Sequence, residues 1–70
     1  MNLDIEKIQF IMKQKKMSKK ELSIKSNIQR KIIDELFLNK IHPNLGTAIG
    51  ISQALNVELH EIIKEEGELS

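Results

Sequence analysis

Arg30 and Lys31 close a stretch crowded with cations. Residues 13–31 hold Lys13, Lys15, Lys16, Lys19, Lys20, Lys25, Arg30 and Lys31 against one acid, Glu21. A guanidinium can donate two parallel hydrogen bonds to O6 and N7 of guanine, and an ammonium can donate to the same atoms or to a phosphate. Asp34 and Glu35 follow Arg30 and Lys31 by four residues. Glu35 can accept from cytosine N4, or each acid can pair with its own cation on the helix surface. This is the chemistry of recognising a polyanion, not of breaking bonds. His42 and His60 are far apart with no ligand cluster around either, and there is no Cys. Neither a metal site nor a disulfide framework is expected. No Ser/His/Asp spacing, glycine-rich phosphate loop or paired-carboxylate pocket is present, so neither an enzyme nor a cofactor is expected.

The formal net charge is only +1, but it is segregated. Residues 58–70 carry Lys64 against Glu58, Glu61, Glu65, Glu66 and Glu68. A basic middle would draw phosphate, and an acidic end would stay clear of it. The bland alternative is a solvated lysine surface. Ile, Lys and Asn, all with AT-rich codons, are abundant, which suggests a bacterial or phage genome.

The cations must be held by something, and the run Met17–Asn39 supplies it. Ser18-Lys19-Lys20-Glu21 fits a capping box, with Met17 and Leu22 at the spacing of a hydrophobic staple. A helix begins there and runs through Lys25. Asn27 stands where the chain turns and tolerates the left-handed conformation. A second helix starts near Gln29 or Arg30. Ile33, Leu36 and Phe37 share its buried face, while Lys31, Asp34, Glu35 and Leu38 point away. Asn39 ends it. Two short helices around a tight turn form a helix-turn-helix unit. In such a unit the N-terminal residues of the second helix reach base edges in the major groove. Gln29, Arg30, Lys31, Asp34 and Glu35 are therefore the candidate base readers. Ser18, Lys19 and Lys20, with the helix N-terminal amides, are candidates for phosphate, and Lys40 and Asn44 for the other strand.

The remaining chain also reads as helix. Asn2 is a possible cap for a first helix with core face Ile5, Ile8, Ile11 and Met12, ending near Lys15. Lys15 and Lys16 make the turn into Ser18. Pro43 keeps His42 extended. Asn44 caps a fourth helix with Leu45, Ala48, Ser52 and Leu55 on one face. Gly46 and Gly50 weaken that helix by roughly 1 kcal/mol each relative to Ala, unless they serve close packing. Asn56 ends it, and a fifth helix carries Leu59, Ile62 and Ile63. The expected architecture is all-α, a compact five-helix bundle without strands. Residues 1–66 form one domain, and 67–70 a frayed acidic tail.

In these residues the chain resembles the helix-turn-helix family of phage Cro and lambda-type repressors, often called XRE-like. The matching positions are Met17-Ser18, Glu21-Leu22, Asn27-Ile28, Ile33, Leu36, Pro43, Leu45 and Leu55-Asn56-Val57. They span roughly Ile5 to Ile63. The resemblance implies a small transcriptional regulator that binds double-stranded operator DNA, most simply a repressor. Lys19 stands where the family usually has a phosphate-binding Gln. Met12 and Phe37 stand where many members have a buried Arg–Glu pair. Replacing both partners of such a pair can be neutral or stabilising, and Met12 and Phe37 are expected to touch in the core.

One module grips one half-site, so a homodimer on a palindrome is expected, with half-sites about 34 Å apart. Leu59 and Ile63 are the interface candidates, with Leu69 and Phe10 behind them. The longest apolar runs are three residues, too short for a membrane span or signal peptide. A cytoplasmic location is expected. The alternative is an antitoxin or antirepressor that uses the same fold to bind a protein, with Ile24, Leu38, Ile41 and Ile49 as a possible apolar patch.

Overall fold

Asp4 starts the first helix. Its carboxylate accepts from the Lys7 N–H at 3.1 Å, which satisfies one of the amides a helix N-terminus leaves open. In the computed structural model, which describes residues 2–64, α1 then runs over Ile5–Lys15. It is followed by α2 (Lys19–Ser26), α3 (Arg30–Phe37), α4 (Leu45–Leu55) and α5 (Leu59–Ile62). Asn2, expected as the first cap, instead joins Leu3 in a short strand, β1 (Asn2–Leu3). It pairs antiparallel with β2 (Ile63–Lys64), Asn2 opposite Lys64 and Leu3 opposite Ile63. The expectation of a bundle without strands is corrected here. The Asp4 N–H continues the seam by donating to the Ile62 carbonyl at 2.8 Å. Gly67, Leu69 and the end of the acidic tail lie outside the described residues.

The first four helices end alike. Lys16, Asn27, Asn39 and Asn56 take φ between 56° and 59°, the left-handed conformation that turns the chain away from the helix axis. In each case the next residue's N–H reaches back five residues. Met17 donates to Met12, Ile28 to Ser23, Lys40 to Glu35 and Val57 to Ser52, at 2.8–3.2 Å. This is the Schellman closure. It places an apolar residue just beyond three of the four stops, and Met17, Ile28 and Val57 all pack against the core. Helix ending and core packing are thus one event. Asn at three of the stops was readable from sequence; at the fourth the turn at Lys15 and Lys16 was, but not the left-handed conformation of Lys16.

The core is built from Leu3, Ile8, Ile11, Met12, Leu22, Ile33, Leu36, Ala48, Ile51, Leu55 and Ile62. Asn44 caps α4 by accepting from the Thr47 N–H at 2.8 Å. Its buried face is Ala48, Ile51, Ser52 and Leu55. Leu45, expected on that face, is 54% exposed, and Ile51 takes its place in the core. Leu45 is the first residue of the helix, where the chain is still entering from the Pro43 loop. Buried Ser52 is satisfied by donating to the Ile49 carbonyl at 2.8 Å. Gly50 lets α4 approach α2: a Cβ there would lie 3.3 Å from the Ser26 carbonyl oxygen. Gly46 has no such role, since its Cβ would meet Asn44 Oδ1 at 3.5 Å. Glu58 precedes α5 as its cap, and its N–H donates to the Glu61 carboxylate at 3.0 Å. Ile63, expected within α5, lies in β2.

Candidate nucleic-acid interface

The helix-turn-helix pair is fastened from inside its own turn. Ser23 in α2 donates its hydroxyl proton to the Ile28 carbonyl, while the Ile28 N–H donates to the Ser23 carbonyl at 3.2 Å. The clasp spans Asn27 and fixes where α3 begins. Sequence reasoning passed over Ser23. The only signal was a small hydroxyl at the distance of a Schellman closure from an apolar residue.

At the head of α2, Ser18 accepts from the Glu21 N–H at 3.1 Å. The reciprocal half of the expected box is not made. The Glu21 carboxylate turns instead to Lys25, 3.4 Å away at the next helical turn. An i,i+4 ion pair satisfies that carboxylate as well as the amide would. Ser18 spends its oxygen on the cap and keeps its hydroxyl proton. Asn44 likewise uses Oδ1 on Thr47 and keeps its NH2 group. Among the described residues neither cap's donor is engaged, and each stands at a helix N-terminus, where anions are favoured.

α3 carries its exposed residues at its start. Gln29 precedes the helix with no side-chain capping bond. Arg30 and Lys31 are exposed. Arg30 Nε donates to Asp34 Oδ1 at 3.2 Å, and Lys19 Nζ lies 3.7 Å from the same oxygen. The expected Arg30–Asp34 pair forms. The companion Lys31–Glu35 pair does not: among the described residues no ion pair reaches Glu35. Arg30, Asp34 and Lys19 are 52%, 44% and 39% exposed in their side chains. Pairs this open add little stability, so what they contribute is orientation.

Phe37 completes the link between the helices. It is half-buried, not a full core residue, and Lys19 Nζ stands 5.2 Å above its ring. Met12 is buried, and Phe37 packs at the edge of the cluster containing it. Phe37 is thus not the fully buried residue expected: part of its ring is given to Lys19 as a cation–π face. An ammonium is held here by an aromatic face and a carboxylate together.

The remaining candidates are placed less tightly. Lys20, Lys40 and Asn44 are exposed, with Lys40 just past the end of α3 and Asn44 at the head of α4. Leu59 and Ile63 are half-buried against the protein's own core. Ile24, Leu38 and Phe10 are 70%, 65% and 56% exposed, whereas Ile41, expected in an exposed patch, is half-buried. Among the described residues no three His, Asp or Glu side chains converge as a metal site. No helix among them is long and apolar enough to cross a membrane.

A comparison with curated proteins finds no match. The family model described as the Cro/C1-type HTH DNA-binding domain matches residues 7–67, from the first turn of α1 to beyond α5. The heads of α2, α3 and α4 lie within that match. This chain belongs to the Cro/C1-type helix-turn-helix DNA-binding domain family.

Proposed function

We propose that this protein is a transcriptional repressor that binds an operator in double-stranded DNA as a homodimer, with α3 in the major groove. The observation that carries the reading is the exposed start of α3, Gln29-Arg30-Lys31, set beside the cationic start of α2. The N-terminal residues of a recognition helix are the ones that reach base edges. Arg30 and Lys31 donate to guanine, Gln29 reaches a base or the adjacent phosphate, and Glu35 accepts from cytosine N4. Ser18, Lys19, Lys20 and the amides opening α2 grip one backbone. Lys40 and the free NH2 of Asn44 grip the other. These contacts fix register, and the α3 side chains specify sequence.

Two copies occupy a palindrome with recognition helices about 34 Å apart, Leu59 and Ile63 contributing to the interface. A DNA target in a bacterial or phage-infected cell places the protein in the cytoplasm. Selection from a random duplex pool tests this reading. A palindromic consensus is the expected result, and a consensus with no dyad would remove the homodimer. No enrichment at all would favour the antitoxin or antirepressor reading, which draws on Ile24 and Leu38, the most exposed large apolar side chains among the described residues.

A further inference from the structure

We propose that Asp34 is a positioning residue that selects the edge Arg30 presents to a guanine and reads no base itself. The inference rests on the reading of α3 as the recognition helix. A guanidinium has five N–H donors in a rigid plane. It can meet guanine side-on, through Nε and one Nη, or end-on, through both Nη atoms. Asp34 Oδ1 already accepts from Arg30 Nε at 3.2 Å. The side-on edge is thereby occupied, and the end-on edge, with its two parallel donors, is left for O6 and N7.

The carboxylate that does this is itself held. The same oxygen lies 3.7 Å from Lys19 Nζ on the neighbouring helix, and that ammonium is backed by the Phe37 ring at 5.2 Å. Two cations from two helices fix Asp34, so Arg30 meets the groove already oriented and loses less freedom on binding. Glu35 forms no ion pair among the described residues and stays available to bases. The two neighbouring acids thus have different tasks.

Charge alone makes the opposite forecast. Asp34 lies on the face offered to phosphate, so removing its charge would tighten binding to every duplex alike. The test compares the wild type, Asp34→Asn and Arg30→Ala on the selected operator and on duplexes with each half-site base pair replaced in turn. Circular dichroism melting checks that the variants are folded. Arg30→Ala is expected to abolish the preference at one G·C pair. Asp34→Asn is expected to reduce the preference at that same pair by about tenfold, the scale of one bidentate contact, while affinity for scrambled duplex holds or rises. An unchanged preference in Asp34→Asn overturns the proposal, as does loss at a different pair, which would make Asp34 a reader. If Arg30→Ala keeps every preference, Arg30 reads no guanine and the proposal falls. Failure of the wild type to select any operator is a separate result that removes the underlying reading.

Discussion

Gly50 of α4 meets Ser26 of α2 with little room for a side chain, since a Cβ at Gly50 would stand 3.3 Å from the Ser26 carbonyl oxygen. The neighbour is backbone in the last turn of α2, and Ser23 clasps the turn that follows. It cannot swing aside as a flexible side chain would. Gly50→Ala is therefore expected to forfeit its helix-propensity gain of about 1 kcal/mol and leave stability unchanged or lower. Gly46→Ala, whose Cβ would make only an ordinary contact with Asn44 Oδ1, should stabilise by about 0.4–1 kcal/mol. Thermal melting of the two variants checks the contrast, and equal stabilisation by both would contradict the close approach.

Lys16 is the one left-handed helix stop among the described residues that is not Asn. A left-handed conformation costs an ordinary L-residue about 1–2 kcal/mol, and glycine avoids most of it. Lys16→Gly is expected to stabilise by about 0.5–1 kcal/mol after glycine's greater entropy loss. Asn27→Val should destabilise by more than about 1 kcal/mol, because a β-branched side chain has no comfortable place there. Denaturant titration of both variants reads these shifts.

The first helix is capped by Asp4 and not by Asn2. Asp4→Ala is expected to cost about 0.5–2 kcal/mol, as losing an N-cap generally does. Asn2→Ala should cost less, since Asn2 contributes backbone pairing that alanine preserves. Asn44→Ala should cost about as much as Asp4→Ala and also remove a phosphate donor. A larger loss for Asn2→Ala than for Asp4→Ala in chemical denaturation would contradict this assignment.

Lys19 and Phe37 divide stability from binding. Lys19→Ala removes a half-exposed charge and is expected to leave the melting temperature nearly unchanged while weakening binding to every duplex, with some further loss at the base pair Arg30 reads, because Lys19 also holds Asp34. Phe37→Ala empties part of the core edge and should cost about 2 kcal/mol, roughly half of a full core Phe→Ala. Phe37→Leu should keep most of that packing. Parallel melting and binding curves distinguish the two residues.

The parts legible in the sequence were those fixed by local backbone chemistry. Ser18 and Asn44 cap helix starts through their side-chain oxygens, and Asn27, Asn39 and Asn56 take the left-handed conformation at helix stops. The parts that were not legible depend on distant segments. Pairing of Asn2–Leu3 with Ile63–Lys64 joins two dipeptides from opposite ends of the described chain, and two residues carry no periodic signal. Leu45 and Ile51 changed places because burial on α4 depends on how the Pro43 loop delivers it. In the interface, the cations and the start of α3 could be read from residue type. That Lys19 and Arg30 share Asp34 could not, because it requires knowing how α2 and α3 cross.

The central claim is that the α2–α3 surface binds duplex DNA by phosphate contacts and distinguishes sequence by base contacts. Equilibrium binding to the selected operator and to a scrambled duplex, between about 50 and 200 mM salt, tests it most directly. The expected result is a linear fall of log affinity with log salt for both duplexes, with the operator bound at least about a thousandfold more tightly at physiological salt. A flat salt dependence, or equal affinity for the two duplexes, would contradict the account.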